Sequence, residues 1–307
     1  MVPLLLSLLL FLGAPTVRGS DAGKPNILFV LIDDMGYGDM GYTYPEIKKN
    51  ITTPLFDKLA SEGLILDRYY SQFLCTPARG SLYTGRFAIA LGIDSEVFQP
   101  YTKQCLDRDQ ILLPEVLREN GYATHLVGKW HLGYARWDCM PCTRGFDTAY
   151  GYTQGQIDYM THQYYPSDKY NDFYFCEEDG DEINWSILPN TTQKYSENLF
   201  TSRVKGVVED HNSSQPLFML YSMQNVHYPY FAPDSYFNVD CTDKGDASCV
   251  RQAMLNAAQD ALSEVIESYK EAGLWNNTLL IVASDNGAGE SRFSSNLPLR
   301  GWKGSLF

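Results

Sequence analysis

Positive charge is what this 307-residue sequence is short of. Lys and Arg together number 24 against 37 Asp and Glu, a formal net charge of −13, with an isoelectric point near 4.8. A chain so acidic lacks the basic surface that a nucleic-acid partner demands. Long apolar runs are missing too. The most apolar stretch, Leu4 to Leu12, is too short to span a bilayer, and the mean hydropathy of −0.27 excludes a multispanning protein. There is no internal repeat and no low-complexity linker. What is present is a globular composition, 44% apolar and 20% charged, long enough for one large core or two modest domains.

Residues 1–19 read as a secretory leader: the apolar run is followed by Val17-Arg18-Gly19, with cleavage expected after Gly19. Its only early positive charge is the amino terminus. Five Asn-x-Ser/Thr sites follow, at Asn50, Asn184, Asn190, Asn212 and Asn276, as expected of a glycoprotein. No stable membrane span is expected. The seven cysteines are Cys75, Cys105, Cys139, Cys142, Cys176, Cys241 and Cys249. An odd count in an oxidising compartment leaves one thiol over. Cys139-Met-Pro-Cys142 has the spacing of a redox pair or a zinc half-site, but no second such pair or nearby His completes a zinc set, so a disulfide role is expected.

Strands and helices alternate along the chain. A continuous apolar run over 25–32 predicts a strand buried on both faces. Thr53-Pro54 predicts a helix to Glu62 with Thr53 as its N-cap, and Leu64-Ile65-Leu66 the start of a second strand. Helix over 112–120, strand over 123–127, helix over 197–209, strand over 217–221, helix over 250–272 and strand over 278–283 follow. This pattern predicts an α/β fold with a mainly parallel sheet. Residues 135–195 interrupt it with a segment rich in Tyr, Asp and Cys, expected at the rim of a site or packed over the sheet.

Sites in such folds form beyond the carboxyl ends of the strands. Two strands end in polar pairs there, Asp33-Asp34 and Asp285-Asn286, an all-oxygen set suited to calcium or magnesium rather than zinc. A third ends Lys129-Trp130-His131; in extended backbone Lys129 and His131 share a face. A fourth runs out to His227. Gathered with Arg79 and Lys303, these residues predict a cationic pocket for sulfate or phosphate inside an acidic protein.

Cys75-Thr76-Pro77-Ala78-Arg79-Gly80-Ser81-Leu82-Tyr83-Thr84-Gly85-Arg86 resembles the signature of the sulfatase family, C-x-P-S-R followed by a small residue, Leu and T-G-R; Ala78 replaces the usual Ser. The resemblance covers most of 24–307. Asp33-Asp34-Met35-Gly36-Tyr37-Gly38-Asp39, Gly128-Lys129-Trp130-His131-Leu132-Gly133, Val226-His227, Ser284-Asp285-Asn286-Gly287 and Pro298 to Gly304 look like further motifs of that family. Within it, Gly145-Phe146-Asp147, Trp275 to Thr278 and Pro298 to Gly301 look most like the arylsulfatase B group, which includes N-acetylgalactosamine-4-sulfatase and arylsulfatases I and J.

The resemblance implies an alkaline-phosphatase-like α/β fold and hydrolysis of sulfate esters, of sulfated sugars or aryl sulfates. It implies conversion of Cys75 to formylglycine by a formylglycine-generating enzyme, and one calcium ion held by Asp33, Asp34, residue 75, Asp285 and Asn286. A hydroxyl of the hydrated aldehyde attacks sulfur. Lys129, His227 and Lys303 offset charge on the sulfate and leaving oxygens, Arg79 holds the hydrate and metal ligands, and His131 takes the proton of the second hydroxyl as sulfate leaves. Removing Cys75 leaves six cysteines, enough for three disulfides of undetermined pairing. Two other readings are a phosphohydrolase of the same superfamily, whose Ser or Thr nucleophile and two zinc ions Cys75 and the oxygen ligands disfavour, and a catalytically impaired sulfatase-like protein. The family continues past this point with further strands and a C-terminal antiparallel-sheet domain, so residues 20–307 are expected to be an incomplete catalytic domain with exposed sheet edges. The expected address is lysosomal or secreted, and an acidic compartment is expected to keep the histidines cationic.

Overall fold

The computed structural model describes residues 23–43, 51–166, 170–180, 182–188, 193–237, 245–290 and 292–306. The expected leader and two of the expected glycosylation sites, Asn50 and Asn190, lie outside these residues, as does Cys241.

Seven strands form one sheet: β1 (Asn26–Ile32), β2 (Ala123–Lys129), β3 (Thr148–Tyr152), β4 (Tyr174–Asp179), β5 (Glu182–Ile187), β6 (Leu217–Met223) and β7 (Thr278–Ser284). Their order is β5-β4-β3-β2-β6-β1-β7. β1 lies parallel between β6 and β7, and β2 parallel between β6 and β3. β4 and β5 extend the sheet as an antiparallel pair. Every residue of β6 is buried. This explains its unbroken apolar run, since a central parallel strand is covered on both faces.

Helices α1 (Pro54–Glu62), α2 (Cys75–Thr84), α3 (Leu113–Glu119), α4 (Ser196–Glu209) and α5 (Ala247–Glu271) flank the sheet. Leu28, Val30 and Ile32 of β1 point into a core shared with Phe56 of α1, Phe200 and Val204 of α4, and Met254 and Leu262 of α5. Phe29 and Leu31 point the other way, into a core with Tyr83 of α2 and Leu126 and Leu220 of the sheet. The apolar stripe of α5 thus packs on the sheet as its helical spacing predicts. Asp246 caps that helix, accepting from the amides of Ser248 and Cys249. The expected mixed α/β architecture with a mainly parallel sheet is therefore the observed one.

Three local expectations change. Leu64, Ile65 and Leu66 are exposed and lie in no strand; three apolar residues without a pairing partner do not make one. Thr53 stands at the N-cap position of α1 but does not cap it. Its hydroxyl instead accepts from the Gly41 amide at 2.7 Å and donates to Asp57 at 2.8 Å, tying the loop after β1 to the helix. The segment 135–195 is no mere covering excursion, for it supplies β3, β4 and β5. Its tyrosines largely pack: Tyr152 stacks on Phe200, Tyr159 on Tyr195, and both are fully buried.

Two disulfides, Cys105–Cys139 and Cys142–Cys176, cross-link this segment, and Cys249 is disulfide-bonded as well. The two cysteines of Cys139-Met-Pro-Cys142 thus take different partners, which rules out a redox pair or zinc half-site there. Cys75 is a buried free thiol. Among the described residues no helix is long and apolar enough to cross a membrane.

Candidate active site

β1, β2, β6 and β7 run parallel, so their carboxyl ends deliver Asp33-Asp34, Lys129, Gln224 to His227 and Asp285-Asn286 to one end of the sheet. Cys75 enters as the first residue of α2, with Sγ 3.8 Å from Asp33 Oδ1. One turn on, Arg79 is fully buried. Its Nε and Nη2 donate to Asp285 Oδ2 at 3.1 and 2.9 Å, and its Nη1 to the Lys129 carbonyl at 3.1 Å and to Ser222 Oγ at 2.7 Å. Nη2 also lies 3.7 Å from Asp33. Lys129 Nζ donates to Asp33 Oδ2 at 2.6 Å. Lys303 Nζ lies 2.6 Å from Asp34 Oδ1 and 3.0 Å from His227 Nε2. Arg79, Lys129, His227 and Lys303 are therefore gathered around Asp33, Asp34, Cys75 and Asp285.

His131 arrives differently from expectation. β2 ends at Lys129, and His131 adopts a left-handed backbone with φ +56°. The shared-face argument for an extended strand therefore does not apply. The imidazole Nε2 lies 3.3 Å from the Phe98 carbonyl, its Nδ1 has no partner, and Gly155 gives the ring room: a Cβ there would sit 2.8 Å from Cε1. Burial, with the charges of Lys129 and Arg79, pushes the His131 pKa well below its ordinary value. The direction of that shift runs against the cationic state expected for the histidines. A neutral ring whose Nε2–H faces a carbonyl leaves Nδ1 as a vacant base.

The acids are held in different states. Burial and the neighbouring charge of Asp285 push Asp33 well above the usual carboxylate range despite Lys129 and Arg79. Burial also opposes ionisation of Asp34 and Asp285. For Asp34 the charges of His227 and Lys303 outweigh it, and for Asp285 those of Arg79, Lys129 and Lys303 do, so both lie below that range. Asp33, Asp34, Cys75 and His227 offer ligand atoms within 4.8 Å of one another. His227 Nε2 already accepts from Lys303, which makes the oxygens the better donors. Asn286 donates through Nδ2 to Asp34 Oδ1 at 2.7 Å, whereas its Oδ1 is buried without a partner. An orphaned buried carbonyl oxygen beside three carboxylates fits a hard divalent cation.

Residues unmarked by motif support the site from behind. Glu197, on α4, accepts from the Tyr221 hydroxyl at 2.6 Å and from the backbone amides of Gln224 and Asn225 at 3.2 and 3.3 Å. Tyr159 donates to the carbonyls of Gln224 and His227. Together they hold the loop that carries His227. Buried Arg251 pairs with Asp39 and reaches Ser294, joining the loop after β1 to the segment before Lys303. The sequence signal for Glu197 was a charge on the buried stripe of α4, with Phe200, Thr201, Val204 and Val208 at helical spacing.

The mainly parallel sheet thus gathers a buried cluster of carboxylates and cations, with one free thiol, at its carboxyl end, the class of α/β site in which ligands bind beyond the strand ends. The sulfatase family model matches residues 25–305, and the chain belongs to the sulfatase family. It is 38% identical over 293 residues to arylsulfatase J of Mus musculus, covering 95% of this chain and 48% of that protein. It is 31% identical to arylsulfatase A of Bos taurus, covering 89% and 54%. The chain thus spans about half the length of the curated relatives it matches. Among solved structures, Ps i-CgsB in complex with k-i-k-neocarrahexaose superposes with a TM-score of 0.79 at 28% identity, covering 92% of this chain and 63% of that one. PsFucS1 sulfatase from Pseudoalteromonas sp. superposes with a TM-score of 0.70 at 26% identity, covering 86% and 55%.

Proposed function

We propose that this chain carries the catalytic centre of a sulfatase that hydrolyses sulfate esters of carbohydrates, of glycosaminoglycan type, or of aryl alcohols. One observation carries the reading: Cys75, the free thiol, begins α2 beside Asp33, where Arg79, Lys129 and Lys303 converge on Asp33, Asp34 and Asp285. Residue 75 is read as formylglycine, installed by a formylglycine-generating enzyme, and Asp33, Asp34, residue 75, Asp285 and Asn286 as the holders of one calcium ion. The hydrated aldehyde would supply a hydroxyl nucleophile, and calcium a Lewis-acid charge beside it.

The chain's own residues do the rest. Lys129 and Lys303 place ammonium groups against sulfate oxygens, where negative charge grows in the transition state. His227 has Nδ1 fixed on the Tyr228 carbonyl at 2.6 Å. In the doubly protonated ring its Nε2, 3.0 Å from Lys303, would give its proton to the leaving oxygen and return to the acceptor form. His131, neutral with Nδ1 vacant, accepts the proton released when sulfate departs. Arg79 keeps Asp285 and the end of β2 in place and is read as holding the hydrate and the metal ligands.

Residues 1–19 are read as a leader and 20–307 as the catalytic domain it delivers to the secretory route, lysosomal or extracellular. The disulfides and the exposure of Asn184, Asn212 and Asn276 support this address. The k-i-k-neocarrahexaose named with the Ps i-CgsB structure supports a sulfated carbohydrate as substrate.

The test combines mass analysis of the Cys75 peptide from secreted protein with turnover of an aryl sulfate. The expected results are an aldehyde at position 75 and, for Cys75→Ala, a loss of at least roughly a thousandfold in kcat/KM. An unmodified thiol throughout, or full activity of Cys75→Ala, would sink the reading.

A further inference from the structure

The carboxyl end of the sheet does not stop at the catalytic cluster. β3 ends there beside β2, and because β4 and β5 are antiparallel, β4 begins and β5 ends at the same edge. Along that edge lies a groove of about 560 Å³, lined among others by Tyr134, Arg136, Trp137, Thr153, Trp185 and Ile187. Its wall touches the catalytic cluster directly: the Thr153 carbonyl accepts from the His131 amide at 3.2 Å. The groove therefore lies beside the cluster, joined to it through the backbone that carries His131.

Its lining has an unusual composition for a surface with no described role. Trp137 is 68% exposed, and its ring lies 5.5 Å from that of Trp185, the two planes tilted by 46°. An indole left this open gains little from folding. Beside it, Arg136 donates from Nε to Asp138 at 2.9 Å, and its two terminal amino groups have no protein partner among the described residues. Asp172, the acid on the wall, is consumed internally by the amides of Thr153 and Gln154 and the Thr153 hydroxyl. The groove thus offers tilted aromatic faces and spare guanidinium donors, and the one acid on its wall is already paired.

We infer that this groove binds the sugar residues that flank the sulfated one, so that the chain recognises an anionic oligosaccharide and not only the ester it hydrolyses. The apolar C–H face of a pyranose ring matches an indole face. Its hydroxyls, or a further sulfate or carboxylate, match the terminal amino groups of Arg136. A small aryl sulfate would fill the catalytic cluster and leave the groove empty. The inference rests on the sulfate-ester reading above and gives that reading a substrate class.

The test is titration calorimetry on the secreted chain with a sulfated galactan hexasaccharide and the corresponding sulfated disaccharide, with aryl-sulfate turnover measured separately. The hexasaccharide should bind at least about tenfold tighter than the disaccharide. Trp137→Ala should abolish that ratio and Trp137→Phe should restore most of it, because the ring face and not the indole N–H is used. Equal binding of the two sugars, no binding of either, or an unchanged ratio in Trp137→Ala would overturn the inference. Length-dependent binding without any sulfatase turnover would instead overturn the proposed function and leave the groove assignment standing. Turnover without length dependence would do the reverse.

Discussion

At Arg79 one guanidinium joins three strands: it grips Asp285 after β7, the Lys129 carbonyl of β2 and Ser222 of β6. All its donors lie away from water, so the pair with Asp285 is worth most as a constraint. Removing one partner of a buried pair leaves the other charge unsolvated, at a cost of about 3–5 kcal/mol. Arg79→Met should lower the unfolding free energy by that amount in a denaturant titration. Arg79→Lys should lose less, since it keeps the charge but cannot meet Asp285 and Ser222 together. A wild-type midpoint for Arg79→Met would show that Asp285 finds another partner. The signature around Cys75 exposed Arg79 at once, because its neighbours in sequence are chemically unusual. Glu197 and Ser222 carry no such context, and only the packing of α4 and β6 against the site gives them a role.

At the scale of elements, the alternating segments were readable because their burial is simple. β1, β2, β6 and β7 show apolar runs, and α4 and α5 show stripes, since each meets the core on a fixed face. α2 was not readable as a helix: Cys75-Thr76-Pro77-Ala78-Arg79-Gly80 holds Pro, Gly and Thr, weak helix formers, and nearly all of it is buried, which flattens any stripe. β5 did carry a period of two, Ile183, Trp185 and Ile187 alternating with polar residues, but its place beside β4 depends on long-range pairing. The join between α4 and the loop after β6 has a consequence in pH. Burial raises the Glu197 pKa from 4.5 to about 7. The folded chain therefore binds a proton there that the unfolded chain has released between those values. This contribution to stability is complete below about pH 4.5 and is lost as pH rises to about 7, a change of roughly 3 kcal/mol. Between pH 7.5 and 4.5 the wild type should gain that much more stability than Glu197→Gln, as read by chemical denaturation at each pH. Parallel curves for the two proteins would refute it.

For the whole molecule, the two faces of the sheet are not equally protected at its ends. β7 is an edge with β1 as its only described partner. None of its residues is fully buried, and Leu279 is 51% exposed. Open edges with apolar side chains invite pairing with other chains. Light scattering coupled to size exclusion should show association of the 307-residue chain at micromolar concentration, and Leu279→Lys should shift it toward monomer. A monodisperse wild-type monomer would refute this. At the other end, Cys105–Cys139 and Cys142–Cys176 each close a loop of sequence separation 34, which by chain-entropy reasoning is worth about 3–4 kcal/mol apiece. They anchor the segment whose strands build the outer wall of the groove.

The sequence by itself determined the fold class and the family, and singled out the residues that meet at the end of the sheet, because those rest on local patterns: apolar runs, polar pairs at strand ends, and a signature of twelve consecutive residues. Tertiary structure decided the rest, which depends on partners far apart in the chain. It put Lys303 on Asp34 and His227, lowered the His131 pKa by burying it among cations, chose the disulfide pairs, and folded the Tyr-rich segment into strands beside the site. Charge state and proximity are properties of an environment, and no environment exists until the sheet has brought residues 33, 75, 129, 227, 285 and 303 to one edge.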